Sequence, residues 1–227
     1  MRVVRGRAAS VSADRDATRR LLDEVDESGE AVVRVWAPHR QVAFGRRDAR
    51  EEGYPAAAAA AQDHGFEAVE RSVGGRAVAY DGETTLAFAR ITPHEDMRRG
   101  MDERYESLTS DVEQALCDLG VAAERGEPAD SFCPGQHSLQ CDGKLVGIAQ
   151  RVTKGAAITS GICLVANHDE LAAVLDDVYE ALGVAFDPES VGSVAKAGGP
   201  ADPEVVREAL EAALVGDAEM VVEQLRA

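Results

Sequence analysis

Lysine is nearly missing from this 227-residue sequence: only Lys144, Lys154 and Lys196 occur, and every other cationic side chain is arginine. Aromatic residues are scarce at 4%, with a single tryptophan. Positive charge as a whole is in the minority, 24 Lys+Arg against 41 Asp+Glu, which leaves a formal net charge of −17. So negative a surface repels phosphate backbones, and nucleic-acid binding is disfavoured. The four cysteines, Cys117, Cys133, Cys141 and Cys163, include no C-x-x-C pair and have no histidine at zinc-finger spacing. Neither a disulfide scaffold nor a metal site is expected. No apolar run approaches the roughly 18–20 residues of a membrane span. The opening MRVVRGRAAS has arginines but no apolar stretch of a secretory signal, so a cytoplasmic protein is the expectation.

What is present points to a folded domain. Hydrophobic residues make up 45%, enough for a core despite the acidity. The length suits one domain, or one domain with a small appendage. The charge balance resembles that of salt-adapted proteins, in which carboxylates hold water and cations while salt screens their repulsion. Codon bias toward Ala, Arg and Asp gives the same counts, and the two explanations are compatible.

Periodicity supplies the elements. Helices are expected over 14–28, 48–64 (with Pro55 as an irregularity), 101–119 and around Leu171 to Leu182, each with apolar residues at spacings of three and four. Strands are expected over 31–36, 41–44 and 66–71, and a hairpin of 76–80 with 84–91 around Asp81-Gly82. A meander follows over 136–141, 144–152 and 156–165. The Gly/Pro/Ser-rich stretch to Pro203 reads as a link, with helices over 204–214 and 218–225 beyond it. Strand groups broken by helices without regular βαβ alternation predict an α+β fold with a mixed sheet.

Two segments can carry chemistry. In Arg71-Ser-Val-Gly-Gly-Arg-Ala-Val, adjacent glycines let a ligand approach the backbone, flanked by Arg71 and Arg76. A plain turn between strands fits equally. In Ser131 to Val152, Cys133 precedes Pro-Gly on a constrained loop, whereas Cys117 and Cys163 sit in apolar stretches as core residues. His137, four residues on, is a base or a strand cap. Lys144 follows the turn Asp142-Gly143, so a two-residue hairpin pairs it with Cys141, and alternation puts Val146 and Ile148 on its face. Lys144 is then a lone cation at the rim of an apolar surface, suited to a thioester or carboxylate oxygen.

These residues resemble the lipoate-protein ligase and octanoyltransferase superfamily over roughly 31–195. Its R-R-x-x-G-G-G-A-V segment falls on Arg71, Val73, Gly74, Gly75, Arg76, Ala77 and Val78, with Glu70 before Arg71 and Arg76 in place of the third glycine. Its K-x-x-G-x-A-Q-R segment falls on Lys144 to Arg151 and makes Lys144 the essential lysine, with Val146, Gly147, Ile148 and Ala149 as neighbouring substrate contacts. Cys133-Pro-Gly and Phe186-Asp-Pro-Glu-Ser-Val-Gly-Ser-Val are similar to the cysteine-dependent octanoyl-transferring branch. The resemblance implies a biotin/lipoate ligase-like catalytic domain over 1–184, a linker over 185–203 and a C-terminal helical segment over 204–227. It implies acyl transfer through a thioester on Cys133, with Lys144 polarising the carbonyl and keeping Cys133 as thiolate, and no cofactor. The implied partners are lipoyl carriers, the glycine cleavage H protein and the E2 lipoyl domain of 2-oxoacid dehydrogenases. The alternative it leaves is an ATP- and Mg-dependent lipoate ligase, in which Cys133 is incidental; a non-catalytic carrier-binding protein is a third. Carrier domains of acidic character would need high salt or a local basic patch to dock. Arg98, Arg99 and Arg104 make such a patch or else a solvated helix face.

Overall fold

Alternation along the strands decides which side of the sheet each residue serves. In Val32–Trp36 (β2), Val33 and Val35 enter one core, while Val32 and Trp36 pack in another on the opposite face. The structure, a computed structural model, describes residues 1–71, 74–96 and 99–225. The strands are Arg2–Arg5 (β1), β2, Gln41–Phe44 (β3), Glu67–Glu70 (β4), Val78–Tyr80 (β5) and Thr85–Pro93 (β6), then Glu124–Arg125 (β7), Ser138–Gln140 (β8), Lys144–Val152 (β9), Ala156–Leu164 (β10) and Val221–Gln224 (β11). The helices are Val11–Ser28 (α1), Tyr54–Asp63 (α2), Met101–Asp118 (α3), His168–Leu182 (α4) and Pro203–Val215 (α5).

Eight strands form one mixed sheet in the order β11-β1-β2-β6-β10-β9-β8-β7, and three form a small one in the order β4-β3-β5. This is the mixed α+β architecture expected. Helices α3 and α5 cover one face of the large sheet through Leu108, Val112, Leu116, Val206, Leu210 and Leu214. Helix α1 covers part of the other face through Leu21, Leu22 and Val25. It starts at Ser10, whose hydroxyl accepts from the Ala13 N–H at 3.2 Å, and stops at Gly29 in the left-handed region. Helices α2 and α4 close the small sheet over Phe44, Phe66, Val174 and Val178. Each fully buried side chain of this kind contributes about 1.5–3 kcal/mol by leaving water. Among the described residues no helix is long and apolar enough to cross a membrane.

Four expectations are corrected. β5 and β6 form no hairpin: β5 pairs with β3, and β6 pairs with β2 and β10. The Asp81 carboxylate accepts from the N–H groups of Glu83, Thr84 and Thr85 and from Asn167, so the Asp-Gly corner sends the chain from one sheet to the other. Residues 221–224 are a strand rather than a helix, adding in parallel to β1 with Arg2 opposite Val221. In the stretch expected as a linker residues 190–194 are buried, with Val191 bridging to Lys144 and the Gly192 N–H donating to the Lys144 carbonyl at 3.1 Å, and α5 packs in the main core. Finally, Lys144 pairs with Gln140, not Cys141, because the register shifts between Leu139 and Gln140.

Candidate active site

Cys133 sits on a backbone held at both ends. Phe132 before it is anchored in the small core, and Pro134-Gly135 after it keeps the loop short. Its φ is +41°, the left-handed region that costs a residue with a Cβ roughly 1–2 kcal/mol. Its N–H donates to the Tyr179 hydroxyl at 2.7 Å, and that hydroxyl donates to the Ala77 carbonyl at 3.0 Å. Its carbonyl accepts from Lys144 Nζ at 2.9 Å. The side chain is half-buried, and Arg71 Nη2 lies 3.3 Å from Sγ while also donating to the Arg76 carbonyl at 2.5 Å. This approach needs a glycine at 75: φ there is +88°, and a Cβ would stand 2.8 Å from Sγ and 2.9 Å from Arg71 Nη2.

Lys144 opens β9 and is 1% exposed. Its ammonium donates to Glu127 Oε2 at 2.7 Å and to the Phe132 and Cys133 carbonyls at 3.0 and 2.9 Å, which uses all three N–H bonds. Glu127 in turn accepts from the Gly135 N–H and the Ser138 hydroxyl, each at 2.9 Å. One carboxylate thereby ties the cysteine loop, β8 and the lysine together.

The electrostatics follow from burial and pairing. Burial alone lowers the Arg71 pKa, but the facing Tyr80 and Cys133 and the hydrogen bond to Cys133 outweigh it, and the net direction is upward. Burial pushes both the Tyr80 and Tyr179 phenols up, so both stay protonated near neutrality. Cys163, wholly interior, is pushed up to about 12 by burial.

Cys133, Lys144, Arg71, Gly74 and Gly75 all border one cleft of about 780 Å³, within the roughly 300–1,000 Å³ of small-molecule sites. It lies between the two sheets. Gln41, Ala43, Val78 and Tyr80 line it from the small sheet, and Gly147, Ala149, Ile158, Ser160 and Ile162 from the large one. Gly147 is paired with Ile162 and Ala149 with Ser160 in the β9–β10 ladder, so these alternate residues share the cleft face. Val146 therefore packs in the main core instead, with Ile148 against the same core while also reaching the cleft. Ala77 is in the small core, and Arg76 is turned away by ion pairs to Asp48 at 3.0 Å and Glu51 at 2.9 Å. Val73 lies outside the described residues, as does Arg98 of the expected basic patch. The other two members of that patch are engaged, Arg99 with Asp96 and Arg104 with Gln150. The cation at the thiol is Arg71; Lys144 reaches the Cys133 carbonyl. His137 stacks on Tyr105 with ring centroids 3.9 Å apart, and Cys117 is exposed rather than core. Tyr179 and Glu127 were not singled out from sequence. Their only signal was a rare aromatic on the apolar face of α4, and an acid in a polar loop.

Fold and site together define an α+β domain with a thiol, a guanidinium and a buried lysine at the end of an inter-sheet cleft. The chain belongs to the lipoyl protein ligase A/B catalytic domain family, which matches residues 14–215. It is 32% identical over 155 residues to the octanoyl-[GcvH]:protein N-octanoyltransferase of Exiguobacterium sibiricum, covering 66% of this chain and 55% of that protein. It is 27% identical over 157 residues to the lipoyl-[GcvH]:protein N-lipoyltransferase of Listeria monocytogenes, covering 68% and 56%. The chain thus spans about half the length of the curated relatives it matches. A crystal structure of lipoate-protein ligase A bound with ATP superposes with a TM-score of 0.74 at 19% identity, covering 98% of this chain and 89% of that one. That likeness establishes the fold.

Proposed function

We propose that this chain is the catalytic part of a cysteine-dependent transferase that moves an octanoyl or lipoyl group onto a lysine of a lipoyl-carrier protein. One observation carries the reading: a half-buried thiol on a strained residue, 3.3 Å from a half-buried guanidinium, bordering a cleft with apolar walls. The guanidinium puts positive charge beside the sulfur, as a thiolate nucleophile requires. Cys133 attacks the thioester or amide carbonyl of the donor. The carbon–sulfur bond to the enzyme forms, and the donor's sulfur or nitrogen leaves with a proton. The neutral ε-amine of an acceptor lysine then attacks the acyl-enzyme; the new amide loses a proton, and the Cys133 thiolate departs.

Two groups are available to the developing oxyanion, the backbone at Gly74–Gly75 and the Arg71 Nε–H, which has no hydrogen-bond partner among the described residues; the Lys144 ammonium joins them by giving up one of its carbonyl contacts. The acyl chain runs between the sheets past Val78, Ala149 and Ile162, where each buried methylene contributes about 0.8 kcal/mol. The relatives' names supply the partners: an acyl group on GcvH and a protein acceptor. The acidic composition supports a salt-adapted enzyme.

The ligase alternative needs ATP and magnesium in the same cleft. The acids lining that cleft are Asp14, engaged by Arg34 at 2.7 Å, and the exposed Glu70; Glu127, behind Lys144, is engaged by that lysine. The described residues contain no group of three His, Cys, Asp or Glu suited to a metal ion. Glu70 is then the one lining carboxylate without an ion pair among the described residues, a sparse donor set beside which the thiol–guanidinium pair favours the transferase reading.

The test is to incubate the protein with octanoylated carrier, without ATP, and to follow intact mass. An acyl adduct that disappears in Cys133→Ser supports the transferase. Carrier modification seen only with free lipoate and ATP refutes it in favour of the ligase, and no transfer under either condition leaves a carrier-binding protein.

A further inference from the structure

Positive charge is distributed unevenly over this acidic chain. A second cavity of about 450 Å³ adjoins the cleft, shares Gly74 and Gly75 with it, and is lined by Arg46, Arg47 and Arg50. Among the described residues, the two cavities together are bordered by eight of the chain's 24 Lys+Arg but only three of its 41 Asp+Glu. The three acids are Asp14, Glu51 and Glu70; the first two are held by Arg34 and Arg76. Arg46, Arg47 and Arg50 are exposed and carry no ion pair among the described residues, although Glu52 is exposed nearby. Many of the other arginines, among them Arg2, Arg5, Arg34, Arg90, Arg125 and Arg207, are paired.

Local packing fixes this cluster to the reactive centre. Gly45 runs under the Gly74–Gly75 turn so closely that a Cβ would stand 2.0 Å from the Gly75 carbonyl oxygen. The buried Asp48 accepts from the Gly45 N–H at 3.0 Å and from Arg76 at 3.0 Å, which locks the short helical turn 48–50 against the same loop. The three guanidinium groups therefore flank the glycine turn that touches Cys133 Sγ.

We propose that this arginine cluster is a docking face for an acidic acyl-carrier domain. The inference rests on the transferase reading, in which the acyl group arrives tied to a protein whose own surface must settle at the cleft mouth. A carrier approaching a chain of net charge −17 is repelled if acidic, except where an unpaired arginine cluster reverses the local potential. Guanidinium forks bind carboxylates in two-point geometry, and exposed charges of this kind act chiefly on the association rate. Charge complementarity thus selects carboxylate-rich carriers and orients them with the acyl arm toward Gly75.

The experiment compares full-length wild type with R46E/R47E/R50E and the milder R46Q/R47Q/R50Q. Cys133 acylation is timed by intact mass with an octanoylated acidic carrier and with the small neutral thioester S-ethyl octanethioate. Expected is a fall of at least tenfold in kcat/KM for the carrier in the Glu variant, an intermediate fall in the Gln variant, and a shallower salt dependence in both. Rates with the small thioester stay within twofold. Equal losses with both donors, or no loss with the carrier, overturn the proposal. Inhibition of the small-thioester reaction by millimolar phosphate or ATP, lost in the variants, would make the cluster a free-anion site and also overturn it. If neither donor acylates wild type, the transferase reading has failed. Docking is then decided by calorimetric binding of the carrier, and an affinity unchanged by charge reversal overturns it.

Discussion

Replacing Tyr179 by phenylalanine removes one oxygen from the interior and tests how the Cys133 loop is held. The ring is 1% exposed and packs on Phe186 with centroids 4.9 Å apart, so the apolar contacts survive. What disappears is the link between the Cys133 N–H at 2.7 Å and the Ala77 carbonyl at 3.0 Å. Each bond is worth about 1 kcal/mol net, and an orphaned buried partner costs about 1–3 kcal/mol, offset in part because the hydroxyl no longer has to be desolvated. The expected loss is about 2 kcal/mol. For a chain of this size that lowers Tm by roughly 4–8 °C. A second effect follows from the backbone. With its N–H released, Cys133 can leave the left-handed region, and relief of about 1–2 kcal/mol reduces the occupied reactive geometry by roughly 5–30-fold. Urea unfolding gives the first number. The rate of Cys133 alkylation by iodoacetamide at fixed pH and salt gives the second, independently of any substrate. A variant within about 0.5 kcal/mol of wild type and within twofold in alkylation would refute the view that this hydroxyl pins the loop.

Two more predictions rest on single contacts. Gly75→Ala forces a methyl between Cys133 Sγ and Arg71 Nη2 at a φ of +88°, so alkylation of Cys133 slows by about tenfold, some 1.4 kcal/mol, with both reactive groups intact. An unchanged rate would show that the guanidinium is not what activates the thiol. Asp81 is buried, which raises its pKa, but hydrogen bonds from Thr84, Thr85, Asn167 and Glu83 outweigh this and hold it below the usual carboxylate range. A depressed folded-state pKa means the stabilisation is present above about pH 4 and fades as pH falls through the folded value. Asp81→Asn therefore destabilises by about 2–3 kcal/mol at pH 7, and the gap from wild type narrows in acid. Denaturant midpoints at pH 7 and pH 3 that differ equally would count against this.

Local signals carried most elements but failed where distant groups decide. Asp81-Gly82 is a strong hairpin dipeptide, yet β5 finds its partner in β3 and Asn167 draws the corner outward from 86 residues away. Val221–Gln224 is too short for periodicity to separate strand from helix; the open edge of β1 settles it, with Arg2 paired to Glu223. At the site, the glycine pair and the Cys-Pro-Gly loop were legible because both residue types constrain backbone. The identity of the cation at the thiol was not. Lys144 follows Cys133 by eleven positions and Arg71 precedes it by 62, and only the fold shows that the distant one meets sulfur while the near one meets the carbonyl.

That division of labour has a physical logic. An unpaired ammonium in the interior is costly, and Lys144 is tolerated at 1% exposure because Glu127 and two carbonyls accept its three N–H hydrogen bonds. Two of those acceptors belong to the strained turn itself, so the same bonds that satisfy the lysine oppose relaxation of Cys133. For the ammonium to serve an oxyanion in the proposed reaction it must exchange one of these carbonyls for the substrate, which would loosen the turn at the step that acylates the sulfur. Arg71 needs no such exchange, since its Nε–H has no hydrogen-bond partner among the described residues. In the proposed reaction the lysine couples backbone conformation to acylation, whereas the arginine supplies constant charge. An acidic protein needs both, because its general field disfavours the anionic nucleophile that the cleft must stabilise.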